Sequence, residues 1–114
     1  VKGAITIIAP QGEVVTEPAD AKDDAQLLAR LQAIVGGYVE RVPYLTRANG
    51  RACVAFANEE GKLRGLPYNE RATLLWLTDA RRRGYTLGGD FLVGTIAVVS
   101  GDREFMTWLT RDRD

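Results

Sequence analysis

The chain has 114 residues, 46% of them hydrophobic and 26% charged, which is enough for one core and too little for two. Its 15 basic and 15 acidic residues cancel, so no overall field steers it towards nucleic acid or an anionic membrane. With one cysteine and no histidine, the composition excludes an internal disulfide, the usual zinc ligand sets and any nucleophile activated by histidine.

Ala4 to Ile8 is rich in β-branched residues, Ala9-Pro10-Gln11-Gly12 supplies a turn, and Glu13 to Thr16 resumes an extended pattern, which predicts an N-terminal hairpin. Glu17 to Asp24, with Pro18 and several aspartates, reads as a loop whose Asp23 or Asp24 caps the next helix. Leu27, Leu28, Leu31, Ile34 and Val35 then fall on one helical stripe, which Gly36-Gly37 ends. Tyr38 to Val42 is extended, and Asn49-Gly50 suits the two positive φ angles of a type I′ turn before an apolar return strand, Ala52 to Ala57. Asn58-Glu59-Glu60-Gly61 forms a polar turn, and Lys62 to Pro67 a connection. Asn69 is placed to cap a helix from about Glu70 to Arg83, with Ala72, Leu75 and Trp76 on its inner face and Arg81-Arg82-Arg83 at the negative end of its dipole. Tyr85 to Asp90 reads as a loop, Phe91 to Ser100 as a long strand interrupted by a bulge or close approach at Gly94, and Asp102 as the cap of a terminal helix spanning about 103–112.

The order β-β-α-β-β-α-β-α predicts a single α+β domain over 1–114, a two-layer sandwich in which helices pack on a mixed or mainly antiparallel five-stranded sheet. No apolar run approaches the roughly 20 residues a membrane-spanning helix needs, and the N-terminus lacks the pattern of a secretory signal. The expectation is a cytoplasmic protein with no membrane association.

Val35-Gly36-Gly37-Tyr38-Val39-Glu40, Ala57-Asn58-Glu59-Glu60-Gly61-Lys62 and Gly65-Leu66-Pro67-Tyr68-Asn69 with Arg71-Ala72-Thr73, followed by the glycine-led strand Gly94 to Val99, form an ordered series. It resembles a family of uncharacterised small domains, of unknown function, from phages, plasmids and other bacterial mobile elements. The resemblance covers about residues 4–99 and leaves the terminal helix outside. It implies a cytoplasmic accessory protein of a mobile element, and it carries no reaction or ligand with it.

Three groups of residues are candidates for a site. Tyr38, Glu40, Asn58, Glu59 and Asn69 can bind a small molecule or anion if the strand end and the helix N-terminus come together; a turn and a helix cap use the same residue types with no ligand. Glu40 with Glu59 or Glu60 can form a carboxylate pair, against the plainer role of exposed glutamates in solubility. Arg64, Arg81, Arg82 and Arg83, with Lys62 and Tyr85 nearby, can track phosphates and stack on a base, although the helix dipole already accounts for a basic last turn. Cys53, Trp76 and Trp108 read as core residues, and Gly88-Gly89-Asp90 as a turn without the lysine of a phosphate-binding loop. No catalytic residue, metal ligand or cofactor is expected. The first reading is a non-catalytic module that binds a protein partner through a sheet edge or helix face; a nucleic-acid-binding module and a small-molecule binder stand beside it, and edge-strand pairing admits a homodimer.

Overall fold

The structure is a computed structural model that describes residues 3–19 and 21–111. Over these residues the strands are β1 (Gly3–Ile8), β2 (Val15–Pro18), β3 (Val39–Arg41), β4 (Arg47–Ala48), β5 (Arg51–Asn58) and β6 (Ile96–Gly101), and the helices are α1 (Asp24–Val35), α2 (Glu70–Arg82) and α3 (Arg103–Thr110). Every strand pairing is antiparallel, in the order β2-β1-β6-β5-β3, with the short β4 pairing β5 beside this path. The α+β class and an antiparallel sheet with helices packed on it are as the sequence predicts. The tight hairpin contributes β4 as a sixth strand, and Asn49 and Gly50 at its tip have φ of 52° and 78°, the signs a type I′ turn requires.

The helices divide between the two faces of the sheet, so a second covered face replaces the two-layer arrangement. On one face Ala72 and Trp76 of α2 pack with Ile8, Cys53, Ala55, Ile96 and Val98. On the other, Leu27, Leu31 and Val35 of α1 and Phe105 and Leu109 of α3 pack with Ile5, Val54, Ala97 and Val99. Alternation along β5 and β6 feeds the two cores in turn, which explains why both strands are apolar at consecutive positions. Each fully buried side chain such as Ile5, Ile96 or Val99 contributes about 1.5–3 kcal/mol of hydrophobic stabilisation.

The helix starts follow the predicted chemistry. Asp23 accepts from the Gln26 N–H, Asn69 from Ala72 and Asp102 from Phe105, and Gly36 closes α1 in the left-handed conformation. The part of the terminal helix expected at residue 112 lies outside the described residues.

Several boundaries move, and two of the shifts have a clear cause. The second strand runs to Pro18 instead of ending at Thr16, because β2 is an edge strand and tolerates a residue without an N–H. The predicted long strand from Phe91 is a strand only from Ile96. Gly94 has φ of 72°, and a Cβ there would lie 2.8 Å from Leu66 Cδ1, so the chain turns at a position only glycine fills without strain. The residues before it bond elsewhere: the Leu92 N–H donates to Thr73 Oγ1, and the Gly94 N–H to the Pro67 carbonyl.

Candidate functional site

The end of the sheet where β3 and β5 run side by side holds most of the predicted ligand-binding residues. In the β3–β5 register Val39 faces Asn58 and Glu40 faces Ala57, and the Glu59 N–H donates to the Tyr38 carbonyl. Glu40, Asn58 and Glu59 line a hollow of about 160 Å³ together with Lys62, Leu63, Trp76, Asp90 and Phe91. Asn69 and Tyr38 are not among its lining residues; Tyr38 is exposed. The volume is below the roughly 300–1,000 Å³ usual for a small-molecule site.

Both asparagines are engaged by the fold. Asn58 is buried, donates through Nδ2 to the Val35 carbonyl at 3.2 Å and accepts through Oδ1 from the Glu60 N–H at 2.8 Å. It ties the end of α1 to the turn after β5. Asn69 is completely buried, donates to the carbonyls of Ile8 and Gly94, both at 2.8 Å, and accepts from the Ala72 N–H at 3.0 Å. It therefore joins β1, the approach to β6 and the first turn of α2. A ligand at either amide has to displace these bonds.

The predicted basic residues do not form one cluster. Arg64 donates to the Gly36 carbonyl at the end of α1, whereas Arg83 donates to the Tyr44 carbonyl, approaches Asp79 at 3.7 Å and lies over the Tyr85 ring. Arg81 and Arg82 are exposed in the last turn of α2, where their charge complements the helix dipole.

The connection from Glu59 to Tyr68 is short but well tied. The Arg64 N–H donates to the Glu60 carbonyl at 2.9 Å and the Leu66 N–H to the Gly61 carbonyl at 3.0 Å, and the Lys62 ammonium pairs with Asp90 and lies 4.5 Å from the centre of the Phe91 ring. The Lys62 hydrogen bond holds the Asp90 carboxyl below the usual carboxylate range, and the Phe91 N–H adds to the effect. On this braced turn Leu63 is 89% exposed. Phe91 meets Tyr68 edge-on with ring centres 5.9 Å apart, and both are substantially exposed. Leu63, Tyr68 and Phe91 are the features that sequence reading missed; Leu63 in a polar connection was the available signal.

Asp79 was also missed, because its position on α2 looks like an ordinary polar one. It is 2% exposed, and its Oδ2 accepts from the N–H groups of Thr46 (2.9 Å) and Arg47 (3.3 Å), while Oδ1 has no hydrogen-bond partner among the described residues. Cys53 lies buried in the same core, and burial, with the Asp79 carboxylate adding to it and Arg41 opposing, pushes its thiol up to about 11. Two units of elevation leave about a hundredfold less thiolate at mildly alkaline pH, so Cys53 is expected to react with a disulfide reagent at least about 100-fold more slowly in the native protein than in urea. Equal rates would show that the thiol is accessible and ionised.

The pattern of a family described as a domain of unknown function, DUF3846, matches residues 2–113. No curated protein and no solved structure matches the chain. No helix among the described residues is long and apolar enough to cross a membrane.

Proposed function

The chain belongs to the DUF3846 family of domains of unknown function, and from that premise we propose that it is a non-catalytic protein-interaction domain, an accessory protein of a mobile element that acts in the cytoplasm. The observation that carries this reading is Leu63, 89% exposed on a turn that hydrogen bonds hold in place. An isolated exposed leucine is ordinary on a protein surface. Leu63 differs in its setting: it shares a hollow with Phe91 and Trp76, and Glu40, Glu59, Lys62 and Asp90 stand around it. An apolar centre with a charged rim is the anatomy of a protein contact. The turn is already ordered, so binding pays little conformational entropy there. The mobile-element and cytoplasmic parts of the proposal rest on the resemblance carried by the motifs from Val35 to Val99.

The test places a photo-crosslinking amino acid at position 63 and, as a control, at position 82 in the helix end. The reading predicts a discrete adduct with a second protein from position 63 in the cell, none from 82, and loss of that partner's co-purification in Leu63→Asp. Adducts of equal yield from both positions, or none from 63, would contradict it.

A further inference from the structure

We propose that the part of the sheet left uncovered beside α2 is a binding groove for a small organic polyanion with an acidic group at each end, with Arg51 and Arg71 at its two ends and the hydroxyls of Thr6, Thr16 and Ser100 on its floor. This site is separate from the Leu63 surface. The groove has a volume of about 470 Å³, within the range of small-molecule sites, and no acidic residue lines it.

The floor follows from the strand register. Thr6 lies opposite Thr16 on one side and Val98 on the other, and Ala4 lies opposite Ser100, so these residues share the face that α2 covers further along. Where α2 covers that face, β1 and β6 carry Ile8, Ile96 and Val98; beyond it the same alternation carries Ala4, Thr6 and Ser100. A solvated sheet face ordinarily carries longer polar side chains. Here the floor is short and recessed, and its walls are α2, through Leu75, and the tip of the β4–β5 hairpin.

The arginines stand at opposite ends. Arg71 donates to the Ala9 carbonyl at 2.7 Å, just past the Ile8 end of β1, which fixes its guanidinium there. Arg51 precedes Cys53, the partner of Ser100, and so stands near the Ala4 end. Arg51 pairs with Ala48 at the tip of the β4–β5 hairpin, two residues beyond the Cys53–Ser100 pair, and both arginines line the groove. The Thr6 and Thr16 hydroxyls share one hydrogen bond at 3.1 Å, so one of the two, with Ser100, is left to donate, and guanidinium groups at the two ends with these donors between them match a molecule with phosphate or carboxylate groups at both ends.

The test is an amide NMR titration of the full chain with fructose 1,6-bisphosphate and with citrate, and with inorganic phosphate and fructose as controls. At least one of the two polyanions is expected to shift the Thr6, Thr16 and Ser100 resonances saturably and to bind about tenfold or more tightly than phosphate, because two charge-assisted contacts replace one. Arg51 is exposed, so Arg51→Gln should keep the native spectrum while reducing the advantage over phosphate to within about threefold; Ser100→Val, which leaves both cations in place, should weaken binding by less. The proposal is overturned if neither polyanion moves these resonances, if fructose moves them equally, if Arg51→Gln binds as the parent does, or if a short single-stranded DNA occupies the groove and the two polyanions do not.

Discussion

Asn69→Ala is expected to lower the free energy of unfolding by about 4 kcal/mol, a large part of the roughly 5–15 kcal/mol that a domain of this kind has available. The side chain is completely buried and makes three bonds, so truncation strands the Ile8 and Gly94 carbonyls and the Ala72 N–H in a site closed to water. Each such buried orphan costs about 1–3 kcal/mol, and the loss of an N-cap alone costs about 0.5–2 kcal/mol. Urea unfolding measures the difference. Asn69→Asp separates the two contributions, since it keeps the capping oxygen but turns an oxygen towards two carbonyls. It should destabilise about as much as Asn69→Ala at neutral pH. Near-native stability in that variant would mean that the two amide donors contribute little.

Asp79→Ala is expected to cost about 2–4 kcal/mol, with its effect concentrated in the segment from Pro43 to Arg47. That segment is strapped to α2 at three places: Trp76 Nε1 donates to the Pro43 carbonyl at 2.6 Å, Arg83 donates to the Tyr44 carbonyl at 2.9 Å, and Asp79 accepts from Thr46 and Arg47. Tyr44 sits between them at φ 64°, a conformation that costs a non-glycine residue about 1–3 kcal/mol and persists because its neighbours are held. Removing the carboxylate leaves the Thr46 and Arg47 N–H groups without their acceptor, so hydrogen exchange at these two amides should accelerate more than in β5 or β6. Asp79→Asn keeps an acceptor oxygen for them and should cost less than half as much. A uniform rise in exchange across the whole sheet would assign Asp79 to global stability alone.

Local chemistry was legible in the sequence and long-range partnership was not. Asn69 and Asp102 read as caps from side-chain type and position, with Asp23 or Asp24 as the cap of the first helix, and in the structure Asp23, Asn69 and Asp102 each cap a helix. The Asn49-Gly50 turn followed from backbone sterics alone. The division of helices between two faces was hidden, because consecutive apolar residues in β5 and β6 show that both faces are covered without showing which helix covers each. The β-branched run from Phe91 suggested a strand, but its backbone bonds go to Pro67 and Thr73, contacts separated by many residues and invisible to periodicity. For the site, sequence placed Glu40, Asn58 and Glu59 in one neighbourhood, and the structure brings these three to one hollow. It did not reveal that Asn58 and Asn69 spend their hydrogen bonds on Val35, Ile8 and Gly94, since all three acceptors are backbone carbonyls with no side-chain signature. Leu63 was passed over because a single leucine in a polar connection leaves no periodic pattern.

The most direct measurement compares denaturant unfolding and partner co-purification for Leu63→Asp in parallel. A side chain that is 89% exposed contributes almost nothing to the core, so the unfolding midpoint should stay within error of the parent while the partner is lost. A lowered midpoint, or an unchanged midpoint with the partner retained, would contradict the claim that this leucine is displayed for another protein.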